Sequence, residues 1–285
     1  MNYGKFDKVV KCYLGSNYNI AGVPGIYKGK EYDSQGNPYM HILNIPKNKT
    51  QEEVVINSNL LPEIKTLQWI PIKLHYLAHH LNSSQIMCYN FFRRFIDNDY
   101  KPSPSLITLL HNYCPLLKLE ENAECQFEFI EIGEDSNIDF YLKSGDVKVY
   151  CEIKYSEQCF GKSGGGKNPT QKFEKKYKPL FEGSPGLWKC KVSEKSVMKN
   201  YYQLFRNAIK AAQPGKNYVL FICPEDRTDL EKSFLDFKDK FLMDDEMIQY
   251  VYWEDLIRIS ESLKFNMDSF KKKYFGYKNE NPASL

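Results

Sequence analysis

IDFYLKSGDVKVYCEIK, residues 138–154, holds two β-rich runs around a turn-forming KSGD. Side chains in a strand point alternately to opposite faces, so a hairpin can be read for what each face carries. A turn centred on Ser144–Gly145 sets Leu142 against Val147 and Asp139 against Tyr150. One face then carries Ile138, Phe140, Leu142, Val147, Val149, Cys151 and Ile153. The other carries Asp139, Tyr141, Lys143, Asp146, Lys148, Tyr150, Glu152 and Lys154. Glu152 and Lys154, two residues apart, point the same way. Asp139 is diagonal to Glu152, at about 7–8 Å between Cα atoms, near enough for two carboxylates to meet on one cation.

This is a chemically useful set. Mg2+ takes hard oxygen ligands and completes its shell with waters and phosphate oxygens. It polarises a phosphate and acidifies bound water. A neighbouring lysine can orient that water or offset charge in the transition state. Glu128, in CQFEFIE, could join from an adjacent strand, because Cys125, Phe127 and Phe129 claim the apolar face there. An E-x-K pair alone also arises on any solvated strand face. A shared site needs Asp139 in register with Glu152, which an odd-length turn would spoil.

Outward from the hairpin, the chain from residue 124 onward reads β-β-β-α-β-α-β-α, which predicts an α/β fold with a mixed sheet. Residues 194–213 form the clearest helix, with Val197, Tyr201, Leu204, Phe205, Ala208 and Ala212 at helical spacing and Pro214–Gly215 as its stop. NYVLFIC reads as a buried strand and MIQYVYW as a further short one, with helical segments near 227–241 and 262–274. Residues 51–120 read as helical, with Ser83 or Ser84 capping one run and Ser103 or Ser105, ahead of or beside Pro104, another. The expected organisation is an irregular arm or cap over 1–50, a helical region over 51–120, a core over 121–255, and a C-terminal helix and tail over 256–285.

Bulk properties agree with an ordinary globular protein: 42% apolar and 26% charged residues in 285. A net charge of +3 permits a polyanionic partner without demanding one. The eight cysteines show no C-x-x-C spacing, and Cys125, Cys151 and Cys223 fall in strand-like runs that suit buried thiols. No signal-peptide pattern and no membrane-length apolar run stands out, so a cytoplasmic location is expected.

The residues that carry the hairpin argument resemble the PD-(D/E)XK nuclease superfamily: a metal-binding Asp at a strand start, here Asp139, then (D/E)xK on a separate strand, here Glu152-Ile153-Lys154. The surrounding NSSQIMCYNFF, FEFIEIGEDSNIDFYL, YCEIKYSEQCFG and YYQLFRNAI resemble a bacterial family of restriction-endonuclease-like proteins, over roughly residues 75–225. The resemblance implies a restriction-endonuclease-like mixed sheet flanked by helices and metal-dependent DNA cleavage. Asp139, Glu152 and the backbone carbonyl of Ile153 would bind Mg2+, or Mn2+ in its place, and Lys154 would assist hydrolysis. Gln203 is similar to a helix-borne Gln that orients substrate or the lysine. A further acid of variable position is assigned to Glu128, with Glu121, Glu124 and Glu131 as rivals. The chain departs from the pattern at Ile138, where Pro is usual.

Other signals are weaker. Gly161–Asn168 nearly spells a P-loop, but Asn168 replaces the Mg2+-binding hydroxyl. A basic loop meeting phosphates through Lys162 and Lys167, or a plain surface loop, is the better reading. His75, His79 and His80 in HYLAHH lack the zincin glutamate, so His79 is expected as a packed helix residue. Arg206 and Lys210, on or near the helix stripe opposite the apolar one, could meet a DNA backbone or form a solvated face. The expected function is a Mg2+-dependent endonuclease hydrolysing DNA phosphodiester bonds, in restriction or genome defence. The alternative is a non-catalytic DNA-binding protein that keeps the nuclease fold. Cutting two strands usually takes two active sites, which points to a homodimer.

Overall fold

A computed structural model describes residues 1–131, 137–161, 169–195, 197, 201–243 and 246–280. Its centre is a five-stranded mixed sheet in the order β1-β2-β3-β4-β5: β1 Glu124–Phe129, β2 Ile138–Ser144, β3 Val147–Ile153, β4 Lys216–Cys223 and β5 Ile248–Tyr252. β1, β2 and β3 form an antiparallel meander. β3–β4 and β4–β5 are parallel, each joined by a helical crossover. The alternation expected from residue 124 onward is therefore the one found. β4 is buried from Asn217 to Cys223, as a parallel strand covered on both faces must be.

The hairpin turns one residue later than its sequence suggests. Ser144 pairs with Val147, leaving Gly145–Asp146 as the two turn residues, and Tyr141, not Asp139, faces Tyr150. The cause is local. The buried Ser144 hydroxyl accepts from Glu120 N–H (3.0 Å) and donates to the Lys118 carbonyl, which keeps Ser144 in the strand. Gly145 takes the positive φ of 59° at the first turn position, where only glycine is unstrained. The turn stays even-numbered, so Asp139, Glu152 and Lys154 keep their shared phase, but Asp139 moves from diagonal to directly in line with Glu152.

A second correction concerns Ile138. Phe127 and Phe140 pack in the apolar cluster on one face of the sheet, whereas Ile138 and the partly buried Phe129 join the cluster on the other. Alternation breaks between them at Glu128, whose φ of 53° turns the strand. Glu128 and Asp139 stand at that break, between the paired positions Phe127↔Phe140 and Phe129↔Ile138.

Helices cover both faces. The first cluster joins the sheet to α1 Tyr3–Tyr18, the short α2 Gln51–Val54 and α3 Pro62–Lys65, α4 Ser84–Phe92 and α5 Pro104–His111. The capped starts expected at Ser83 and Ser103 are present, each hydroxyl accepting from an N–H three residues on. The second cluster holds the segment containing α6 Pro169–Lys172 and α7 Lys178–Glu182, then α8 Tyr202–Ala208 and α9 Thr228–Phe241. α10 Trp253–Ser262 and α11 Asp268–Phe275 return to the first face. Several elements differ from expectation: within 194–213 the regular helix is α8, continued by a 3-10 turn Ile209–Ala212 with Tyr201 outside it, and Trp253–Ser262 is helical where no helix was expected. The first fifty residues hold a sixteen-residue helix, α1, which the Gly- and Tyr-rich text after it obscures. Tyr76–His79 form turns rather than a helix, and His80 bridges Ile42.

Candidate active site

The register brings three acids into one row at the end of the sheet. Glu128 in β1 lies in line with Asp139 in β2, and Asp139 with Glu152 in β3, by extension of the flanking pairs. Asp139 Oδ2 accepts the Ile153 backbone N–H at 2.7 Å. Lys154 N–H donates to the Ile222 carbonyl at 3.0 Å, which carries the β3–β4 pairing one residue further. Lys154 thus stays in phase with Glu152, and its Nζ donates to Glu152 Oε1 at 2.8 Å. The second oxygen of Glu152 accepts from Arg206 Nη2 (3.1 Å) and Asn207 Nδ2 (2.7 Å), both on α8. Arg206 Nε in turn donates to Asn207 Oδ1 at 2.8 Å, so the two residues act as one clamp.

The charges sort themselves accordingly. Burial alone would push the Glu152 carboxyl up, but Lys154 and Arg206 beside it hold it below the usual carboxylate range. Burial works against the Lys154 ammonium too, and the Glu152 carboxylate outweighs it, leaving Lys154 raised. Asp139 has no such cation of its own. Burial, then the Glu152 and Glu128 carboxylates, push it well above the ordinary aspartate range. The centre thus sets an Asp139 whose charged form is disfavoured beside a Glu152–Lys154 ion pair.

Glu128 is buried and accepts from Asn137 Nδ2 (2.7 Å) and His75 Nε2 (2.9 Å). The bond to Glu128 raises His75, which therefore charges more readily than a free imidazole. The His75 backbone is fixed by Gln85, whose side-chain oxygen accepts its N–H at 2.9 Å.

Asp139, Glu152 and Lys154 open on one cleft of about 690 Å³, with Gln203, Arg206 and His75 on the same wall system. Another part of the lining comes from the first half of the chain and is aromatic. Tyr27, Tyr39, His41 and His80 meet edge-on, at centroid separations of 5.8–6.1 Å. Burial holds both His41 and His80 down, each to about 3, so these imidazoles are neutral.

The other expected residues are placed as follows. Gln203 lines the cleft. Arg206 and Lys210 are buried rather than spread on a solvated helix face: Arg206 is paired with Glu152, and Lys210 with Glu131. α8 is covered on both sides, so the stripe opposite its apolar one faces protein. Glu121 and Glu124 are exposed, with Glu124 at the far end of β1 opposite Lys143. Lys162 and Lys167 lie outside the described residues. Among the described residues no group of three or more His, Cys, Asp or Glu is arranged to hold a metal ion. The residues that sequence reasoning missed are Asn207, His75 and the aromatic wall. Only the adjacent polar pair Arg206–Asn207, between Phe205 and Ala208 of α8, carried a readable signal.

A five-stranded mixed sheet flanked by helices, with an N-terminal helical region ahead of it, defines a restriction-endonuclease-like α/β protein. The chain belongs to the family described as Restriction Endonuclease associating with ARP, which matches residues 24–275. Comparison with curated proteins and with solved structures yields no match. No helix among the described residues is long and apolar enough to cross a membrane.

Proposed function

We propose that the chain is a Mg2+-dependent endonuclease of the PD-(D/E)XK type that hydrolyses DNA phosphodiester bonds in restriction or genome defence. One observation carries this reading: Asp139, Glu152 and Lys154, from two different strands, converge at one sheet end and open on one cleft. The donor set suits Mg2+, which binds through one or two carboxylates and takes its other oxygens from water and substrate phosphate. Asp139 and Glu152 would hold it, with the Ile153 carbonyl at the same strand end. Burial and the neighbouring Glu152 and Glu128 carboxylates push Asp139 up, a crowding of acids that a divalent cation relieves. Bound there, the metal would polarise the phosphate and acidify a coordinated water. Mn2+ would substitute.

The chain's own residues then divide the work. Arg206 and Asn207 fix the orientation of Glu152 and act as positioning residues. Lys154 keeps its proton beside Glu152 and presents a buried positive charge to the phosphate, where low dielectric makes it effective. Gln203 faces the substrate or the lysine from α8. Glu128, bonded to His75 and Asn137, serves as the third acid from behind Asp139. Lys162 and Lys167 attract the DNA backbone, and two copies of the chain cut the two strands as a homodimer.

The alternative, a DNA-binding protein without catalysis, draws on a specific observation: both oxygens of Glu152 are already engaged by Lys154, Arg206 and Asn207. Cleavage assays decide between the two. Full-length protein is incubated with supercoiled, linear duplex and single-stranded DNA in Mg2+, Mn2+ or EDTA. The expected result is cleavage with either metal and none in EDTA. Asp139→Ala and Lys154→Ala should each lower the rate by roughly 100-fold or more, the size of losing one well-placed charge-stabilising group. Binding without cleavage of any DNA form by folded protein would favour the alternative.

A further inference from the structure

The cleft is larger than the acid–lysine centre needs, and its far half is built differently. Four residues of this one cleft each carry a buried side-chain atom that finds no hydrogen-bond partner among the described residues: Asp7 Oδ1, His80 Nε2, Asn82 Oδ1 and Gln203 Oε1. Unpartnered buried polar atoms are costly and are normally scattered and few. Four together in one cavity mark a place made for a ligand. Three of them are oxygens that accept hydrogen bonds, and His80 is only 8% exposed. Two of these groups are fixed through their other atom: Asp7 Oδ2 accepts from Lys11 at 2.8 Å, and Asn82 Nδ2 donates to Ser156 Oγ at 2.7 Å. Tyr27 and Tyr39 keep partly exposed rings that meet edge-on at 5.9 Å, Tyr27 against His80 and Tyr39 against His41.

A ligand that matches this wall is flat, aromatic and rich in N–H donors. We infer that the aromatic half of the cleft is a nucleobase pocket, which takes one unpaired base of a polynucleotide strand whose phosphate lies at Asp139 and Lys154. The rings supply a stacking surface and the orphaned oxygens receive the base's amino and ring N–H groups. The base must be unpaired, because in a duplex those N–H groups are engaged and the ring faces are stacked. The pocket therefore selects a bulge, a strand end or an extruded base. This assignment rests on the nuclease reading for the position of the phosphate, but not for the pocket itself.

The test measures binding by fluorescence anisotropy in EDTA, with the full chain and no cleavage. Three DNA duplexes of one sequence are compared: fully paired, carrying a single bulged adenine, and carrying an abasic residue at the bulge. The abasic duplex has the same backbone flexibility and lacks only the base. The wild type should bind the bulged-adenine duplex roughly tenfold tighter than the abasic one, in line with base–aromatic stacking. Tyr27→Ala and Asn82→Leu should remove that preference, whereas Tyr27→Phe, which keeps the ring, should retain it. Equal binding of the two bulged duplexes overturns the proposal, as does a preference that persists in Tyr27→Ala and Asn82→Leu. So does adenosine monophosphate binding as tightly as the bulged duplex, since the strand would then contribute nothing. Metal-dependent cleavage without base preference leaves the nuclease reading standing and removes the pocket. Base preference without cleavage does the reverse.

Discussion

If Asp139 holds the metal as proposed, function and stability pull apart there. Its carboxyl is buried beside Glu152 and Glu128, so it keeps its proton well past the pH at which an unfolded aspartate loses one. In the window between those two values the unfolded chain binds fewer protons than the folded one. Stability of the metal-free protein therefore falls as pH rises through it. Asp139→Asn removes the titration and keeps an oxygen for the Ile153 N–H. At neutral pH, without metal, the variant should melt a few degrees higher, since about 1 kcal/mol moves Tm by roughly 2–4 °C in a large domain. The gain should vanish at acid pH, where the carboxyl is protonated in both states. Calorimetry across pH in EDTA checks this; a lower Tm for Asp139→Asn at neutral pH would contradict it. The shared face of Asp139, Glu152 and Lys154 was legible because period-two alternation survives the turn. The clamp on Glu152 was not, because helical periodicity separates faces without saying whether the second face meets water or protein. Arg206 lies as its periodicity says and meets Glu152 instead of solvent.

At the level of elements, α11 shows what an ordinary amphipathic reading misses. Lys273 is buried and donates to both the backbone and side-chain oxygens of Asn59, while Asn59 Nδ2 bridges the Ala78 and His80 carbonyls at 2.9 Å each. Burial, with Lys65 nearby, lowers Lys273 to about 7. Below that pH the ammonium is charged in both states and the folded state carries the full burial cost. Above the ordinary lysine value neither state is charged. In between, the unfolded chain binds more protons, so stability should rise with pH from about 7 upward. Lys273→Met should flatten that rise, read as Tm against pH between 7 and 9.5. A parallel slope in wild type and variant would assign the rise to other groups. The hairpin teaches a related lesson. Its strands and its even turn are visible in the alternation, but its centre was displaced by Ser144, whose hydroxyl serves residues 118–120. Such long-range bonds leave no mark in local text, and neither does the positive φ at Glu128 that sends Ile138 to the other face.

Over the whole molecule, one continuous apolar cluster runs from Phe6 in α1 to Tyr277 beyond α11, with the face of the sheet inside it. A fragment of residues 121–255 keeps every strand but loses the cover of that face. It should lack a cooperative melting transition and bind a hydrophobic dye, whereas the full chain melts sharply. A sharp transition in the fragment would show that the core stands alone. The mixed sheet was legible from strand order, because parallel pairing follows from helices between strands. How residues 1–120 cover it was not, since short helices, turns and isolated bridges carry no sustained period.

The clamp on Glu152 also has a bearing on time. Protein synthesis runs from the first residue to the last. Asp139, Glu152 and Lys154 leave the ribosome together, but Arg206, Asn207 and the β4 carbonyl of Ile222 emerge some fifty to seventy residues later. Until they arrive, Glu152 has no clamp and β3 has no parallel neighbour to hold Lys154 in line. A chain with the proposed activity is thus inert while it is being made, and a ribosome stalled before residue 206 releases a harmless polypeptide.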